Sequence, residues 1–188
     1  MNNLHRELAP ITDAAWDEIE EEARRTFKRW VAGRRVVDVL GPSGPELAAV
    51  GTGHTRPLET PTEGVIAHQR EAQLVVELRV PFSVTRAAVD DVERGSQDSD
   101  WQPVKDAVKK IALAEDGAIL HGSSAAGITG IAPSSSHAPI QLPEDVRELP
   151  DAVARAVTTL RLDGVDGPYS LLLSADRYTA VSETTDHG

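Results

Sequence analysis

From Thr12 to about Val31 the apolar residues Trp16, Ile19, Ala23, Phe27 and Trp30 recur at spacings of three and four, which puts them on one stripe of a helix. Thr12 suits the N-cap, where a hydroxyl accepts from the first free amides. Acidic residues Asp13, Asp17, Glu18, Glu20, Glu21 and Glu22 fill the first half and Arg24, Arg25, Lys28 and Arg29 the second, the order that the helix dipole favours. Glu20 with Arg24 and Glu21 with Arg25 stand four apart in the supporting orientation. Gly33 is expected to close the helix.

Beyond Gly33 the pattern changes to short β-prone runs: Val36 to Leu40, Leu47 to Val50, Gly64 to Ala67 and Leu74 to Val80. Gly41, Pro42, Gly44, Pro45, Gly51, Gly53, Pro57 and Pro61 punctuate them, which predicts a long exposed hairpin or loop rather than a compact sheet. Such an arm cannot bury both faces alone, so it is expected to pack against a neighbouring subunit. Thr85 to Arg94 reads as a short helix ended by Gly95. Pro103 then opens a second long helix to His121, with Val104, Val108, Ile111, Ala112, Ala118 and Ile119 as its apolar stripe, interrupted by Glu115 and weakened by Gly117. A small-residue tract from Ser123 to Ala138 reads as a linker or loop. Pro150 to Leu162 is an amphipathic helix with Val153, Val157 and Leu160 on one face, and Tyr169 to Leu173 a buried strand.

These elements make an α+β protein. The chain has 188 residues and no cysteine, which removes disulfides and thiolate metal sites and weakly favours a reducing compartment. No run reaches the roughly 18 apolar residues of a membrane span, and the first ten residues lack the apolar core of a secretory signal. With 30 acidic against 19 basic residues the formal charge is -11, which opposes binding to phosphate backbones.

The inventory of reactive groups is thin. Gly41-Pro42-Ser43-Gly44-Pro45 has the wrong spacing for a hydrolase elbow. His5, His54, His68, His121, His137 and His187 show no metal-ligand spacing, and His121 beside Ser123 reads as a helix-end histidine. Asp90, Asp91 and Glu93 form a solvated face. Gly51-Thr52-Gly53-His54 is a turn without the ending of a phosphate loop. Lys28, Arg29, Arg34 and Arg35 form the one notable basic cluster, either a solvated helix end or a seat for an acidic ligand. Trp16, Phe27 and Trp30 are either core or the lining of a peptide groove.

Several stretches together resemble the encapsulin family, closest to its actinobacterial branch of linocin or bacteriocin-like proteins. They are Asn2-Asn3-Leu4 with Leu8-Ala9-Pro10, Phe27-Lys28, Gly33-Arg34-Arg35-Val36-Val37-Asp38-Val39, Asp91-Val92-Glu93-Arg94-Gly95, Glu115-Asp116, and Gly164-Val165-Asp166-Gly167-Pro168-Tyr169-Ser170. The resemblance runs over the whole chain. It implies the capsid fold of tailed phages: residues 1–35 as the N-terminal helix of a peripheral domain, 36–80 as an extended loop, 81–130 as the peripheral domain with its spine helix, and 131–188 as an incomplete axial domain.

By the same resemblance the chain is a shell subunit and not an enzyme. It self-assembles into an icosahedral, cytoplasmic nanocompartment that encloses a dye-decolourising peroxidase or a ferritin-like protein through the cargo's C-terminal targeting peptide, with no cofactor of its own. Carried over residue by residue, the cargo peptide would lie against Phe27, Val31, Arg34, Val36 and Asp38, with Trp30 beside them. Family members continue beyond Gly188, so a chain ending there is expected not to close into a shell alone. A bacteriocin-like or proteolytic enzyme and a non-assembling peptide-binding adaptor are the competing readings.

Overall fold

The computed structural model describes residues 5–184, so Asn2-Asn3-Leu4 and the Asp186-His187-Gly188 end lie outside the described residues. Its first long helix, α1 (Asp13–Trp30), starts where Thr12 accepts from the Ala15 amide at 3.3 Å, as the N-cap pattern predicts. The buried face is Ala15, Ile19, Glu22 and Thr26, so the core stripe is rotated from the expected one. Trp16, Ala23 and Phe27 are half-buried and Trp30 is exposed. Arg24 does reach Glu20, whereas Arg25 pairs with the buried Glu22 three residues back rather than with Glu21. Gly33 does not end the helix, which stops at Trp30.

After α1 the helices α2 (Arg86–Glu93) and α3 (Gln102–His121) follow the predicted boundaries closely. Thr85 caps α2, and Gly95, at φ +89°, takes the left-handed conformation that releases the chain from it. Pro103 occupies the first turn of α3, where its missing N–H costs nothing. The hydrophobic core joins these three helices: Ala15, Ile19, Ala88, Val89, Trp101 and Val104, flanked by Ile11, Trp16, Val84 and Val108. Val104 is 1% exposed, and burying such a side chain contributes about 2 kcal/mol. Trp101 spends its indole N–H on Glu18 at 3.0 Å, which fixes the start of α3 against α1.

Between α1 and α2 stands an antiparallel hairpin of β1 (Ala49–Leu58) and β2 (Ala67–Leu74), in register from Ala49 opposite Leu74 to Leu58 opposite Ala67, with an irregularity between Gly51 and Thr55. Nearly all of it is exposed. The exposed hairpin is as expected, but the strand boundaries are corrected. Val36 to Leu40 is no strand: a 3-10 turn at Gly33–Arg35 leads into irregular chain. Of the Gly64 to Ala67 and Leu74 to Val80 runs only Ala67 and Leu74 lie in a strand. β-propensity in these pieces reflects residues that suit a packed sheet face, and beyond Val75, whose amide still reaches the Ala48 carbonyl at 3.1 Å, the Leu74 to Val80 run has no partner strand. The tract after α3 is not wholly loop, since β3 (Gly122–Ser123) pairs antiparallel with β4 (Ile128–Thr129).

The chain divides into two compact units after Ser134. The second holds α4 (Leu149–Leu162), with Leu149 and Ala152 buried, and α5 (Ala175–Glu183), a helix with no sequence expectation behind it, capped by Ser174. Tyr169 to Leu173 carries no regular structure and is largely exposed, so the expected buried strand does not form; the Tyr169 hydroxyl donates instead to the Val165 carbonyl at 2.6 Å.

Candidate functional site

The site is assembled where α1 hands over to the segment before the hairpin. The Val31 amide completes the helix by donating to the Phe27 carbonyl at 2.9 Å, and the chain then turns sharply against α3. That turn is held by one carboxylate. Asp116, 8% exposed, accepts from the Ala32 amide at 2.9 Å and from the Gly33 amide at 2.7 Å. A Cβ on Gly33 would stand 2.7 Å from Ile119 Cδ1 and 3.0 Å from Asp116 Oδ1, so close approach to α3, and not a left-handed turn, favours glycine here.

The residue before Asp116 holds the next side chain. Glu115 takes the Arg34 guanidinium in a two-pronged pair, Nε to Oε1 and Nη2 to Oε2, the second at 2.8 Å. The hydrogen bonds from Arg34 to Glu115, reinforced by the carboxylate's charge, raise the Arg34 pKa above its already high ordinary value. With its head fixed, the guanidinium lies over the Phe27 ring, 4.9 Å from the centroid. Val36 closes the 3-10 turn, half-buried, with its amide on the Gly33 carbonyl at 2.9 Å.

Of the six residues expected to bind cargo, Arg34 stacks on Phe27, Val31 is buried at the helix end with its amide on the Phe27 carbonyl, and Val36 sits half-buried at the end of the turn that carries Arg34. Asp38 lies two residues further along in exposed irregular chain, with no bond to the others. Trp30 projects elsewhere: it lines a separate polar groove between α1 and α3, with the Lys109 ammonium 3.9 Å from its ring centroid. Sequence reasoning read Glu115 only as a break in an apolar stripe. The signal was present nonetheless, because two adjacent carboxylates on the apolar side of a spine helix require partners.

Glu115 also borders an apolar groove of about 770 Å³, walled by Leu74 at the end of β2, by Val75 and Leu78 just beyond it, and by Ala118, Ile119 and Ile128. Among the described residues no cluster of three or more His, Asp or Glu side chains has metal-binding geometry, and no helix is long and apolar enough to cross a membrane.

The site thus holds a guanidinium stacked on an aromatic ring, beside the segment that leads into a long exposed hairpin. A family model described as an encapsulating protein for peroxidase matches residues 1–188. Among curated relatives, the type 1 encapsulin shell proteins of Rhodococcus erythropolis, Brevibacterium linens and Mycobacterium tuberculosis are 63%, 64% and 62% identical over all 188 residues, which span 71% of each relative's length. The chain belongs to the encapsulin family of shell proteins. It is a structural protein and not an enzyme, as the resemblance implied, and the bacteriocin-like or proteolytic alternative is not favoured.

Proposed function

We propose that this chain is the subunit of a closed icosahedral shell that encloses a cargo enzyme in the cytoplasm, and that the hairpin arm holds subunits together. The observation that carries this reading is the exposure of the arm. Leu40 is 92% and Ile66 85% exposed, and Val50, Leu58, Val65, Leu74 and Val76 are all open to solvent in the single chain. Exposed apolar surface of that extent on an elongated two-stranded element is satisfied by burial against another chain. Residues 36–80 act as the extended loop, 1–35 and 81–130 as a peripheral domain around the α3 spine, and 131–188 as part of an axial domain of the tailed-phage capsid fold.

Cargo, in this reading, is a dye-decolourising peroxidase, or alternatively a ferritin-like protein. Its terminal peptide docks where Arg34 covers Phe27, with the half-buried Val36 as an apolar wall, the buried Val31 as support, Asp38 as an exposed acidic rim, and Trp30 as an outlying neighbour. The family description, which names peroxidase as what is encapsulated, supports that choice. Truncating a buried aromatic anchor commonly costs 2 kcal/mol or more, roughly thirtyfold in affinity.

The test is co-expression of the peroxidase with this sequence continued to the full length of its relatives, of which it spans 71%, followed by electron microscopy and quantification of co-purified cargo. Uniform hollow particles loaded with peroxidase are expected, and intact but empty particles from Phe27→Ala. Monomeric protein would overturn the shell reading. Normally loaded Phe27→Ala particles would overturn the peptide site while leaving the shell intact.

A further inference from the structure

The polar groove between α1 and α3 holds an arrangement of charge that shell building does not explain. Arg25 and Arg29 stand one turn apart on α1, and Lys105 and Lys109 one turn apart on α3, all four lining the same groove of about 510 Å³. Like charges four apart on a helix repel, and here two such pairs face one another. Two carboxylates share the groove. Glu22 is already engaged by Arg25 and by the Thr26 hydroxyl at 2.8 Å, and Asp106 accepts from the Gln102 amide at 2.8 Å. Among the described residues Arg29, Lys105 and Lys109 form no salt bridge with a carboxylate, although the Lys105 charge still acts on Glu22.

We infer that this groove is a binding site for a compact multivalent oxyanion of the pyrophosphate class. Three cations without a carboxylate salt bridge, lining one groove from two helices, match an anion that carries several oxygens close together, with Arg29 offering a planar fork and the lysines point charges. The volume falls in the range of small-ligand sites, roughly 300–1,000 Å³, and is short for an extended polypeptide. Trp30 forms one wall and holds the Lys109 ammonium over its ring, which keeps that charge at the groove instead of dispersed in solvent. Because the whole chain carries -11, the groove is a local exception, and anions are focused there rather than spread over a basic surface. Phe27 and Arg34 do not line it, so the site is separate from the proposed cargo contact.

Calorimetric titration of the purified protein with inorganic pyrophosphate, at constant ionic strength near 0.15 M, tests this. Saturable binding is expected, weakened at least tenfold by Lys105→Gln with Lys109→Gln and unchanged by Lys28→Gln, an exposed cation of α1 outside the groove. Binding should also alter tryptophan emission as Lys109 turns from the ring to the anion, a change lost in Trp30→Phe. Should the double lysine variant fail to fold, Arg29→Gln at an exposed position carries the same expectation. No saturable binding at millimolar pyrophosphate, or an equal loss in Lys28→Gln, would overturn the site. Displacement of pyrophosphate by hexaglutamate at lower concentrations would overturn the ligand class in favour of an acidic peptide.

Discussion

Asp116→Ala removes the carboxylate that holds the turn between α1 and the segment leading to the hairpin. Two backbone amides lose their acceptor, and they are not equivalent. Gly33 is buried, so its orphaned N–H carries the full desolvation penalty of about 1–3 kcal/mol, whereas Ala32 is exposed and water can replace the lost bond at a cost nearer 0.5–1 kcal/mol. Together these predict a loss of about 3 kcal/mol, which lowers the melting midpoint by roughly 10 °C for a unit of this size. Asp116→Asn keeps one acceptor oxygen but not the charge and should fall about halfway. Glu115→Gln alters a partly exposed pair and should cost under about 1 kcal/mol. Thermal melts by far-ultraviolet circular dichroism, at matched protein concentration because assembly shifts the midpoint, separate the three. If Asp116→Ala melts within about 2 °C of wild type, Asp116 does not hold the turn and its backbone bonds have no structural weight.

Gly33→Ala should destabilise by about 1–3 kcal/mol, read as a lower urea midpoint, since the new methyl displaces Ile119 and the Asp116 carboxylate together; an unchanged midpoint would show that α3 yields at no cost. Burial alone would raise the Glu22 pKa, but hydrogen bonds from Thr26 and Arg25 and the Lys105 charge outweigh it and leave it lowered. A carboxyl lowered on folding adds stability above its unfolded pKa and loses it as pH falls through the folded value. Glu22→Gln should therefore be less stable than wild type at pH 7, with the gap closing in acid below the ordinary carboxylate range; a gap that persists at every pH assigns the loss to packing instead.

The helices were legible because each carries its own signals. Thr12, Thr85, Pro103 and Gly95 mark ends by local chemistry that needs no tertiary partner, and all four act as their residue types require. The β-prone runs were not legible at the level of boundaries. Val36 to Leu40 and Tyr169 to Leu173 have the composition of strands, yet a strand is a pairwise structure, and nothing in either run says whether a partner lies alongside. The core stripe of α1 was misplaced for a related reason. Its buried face includes Glu22 and Thr26, two polar residues that hydrogen-bond one another at 2.8 Å, and a count of apolar positions passes over such a pair. The candidate site was half visible: Phe27, Arg34 and Glu115 each belonged to a recognisable stretch, but their meeting across more than 80 residues of chain follows only from the docking of α1 on α3.

Adjacent residues on one helix divide the labour at that meeting point. Glu115 and Asp116 point about 100° apart around α3, so one holds a side chain and the other the backbone of the same turn. Either alone would leave a degree of freedom. With Asp116 bound to the amides of Ala32 and Gly33, Arg34 starts from a fixed Cα; with Glu115 taking both edges of its guanidinium, the head is fixed too, and its flat face is left against Phe27. If, as proposed, a cargo peptide docks on that surface, little rotamer entropy remains to be lost there, and the cost of ordering the contact is met during folding rather than during binding. A lysine at position 34 would keep the charge but could not span both Glu115 oxygens while covering the ring, because a point charge has neither the fork nor the face. On this geometry the requirement at position 34 is for arginine's shape, and the carboxylates on α3 are what make that shape usable.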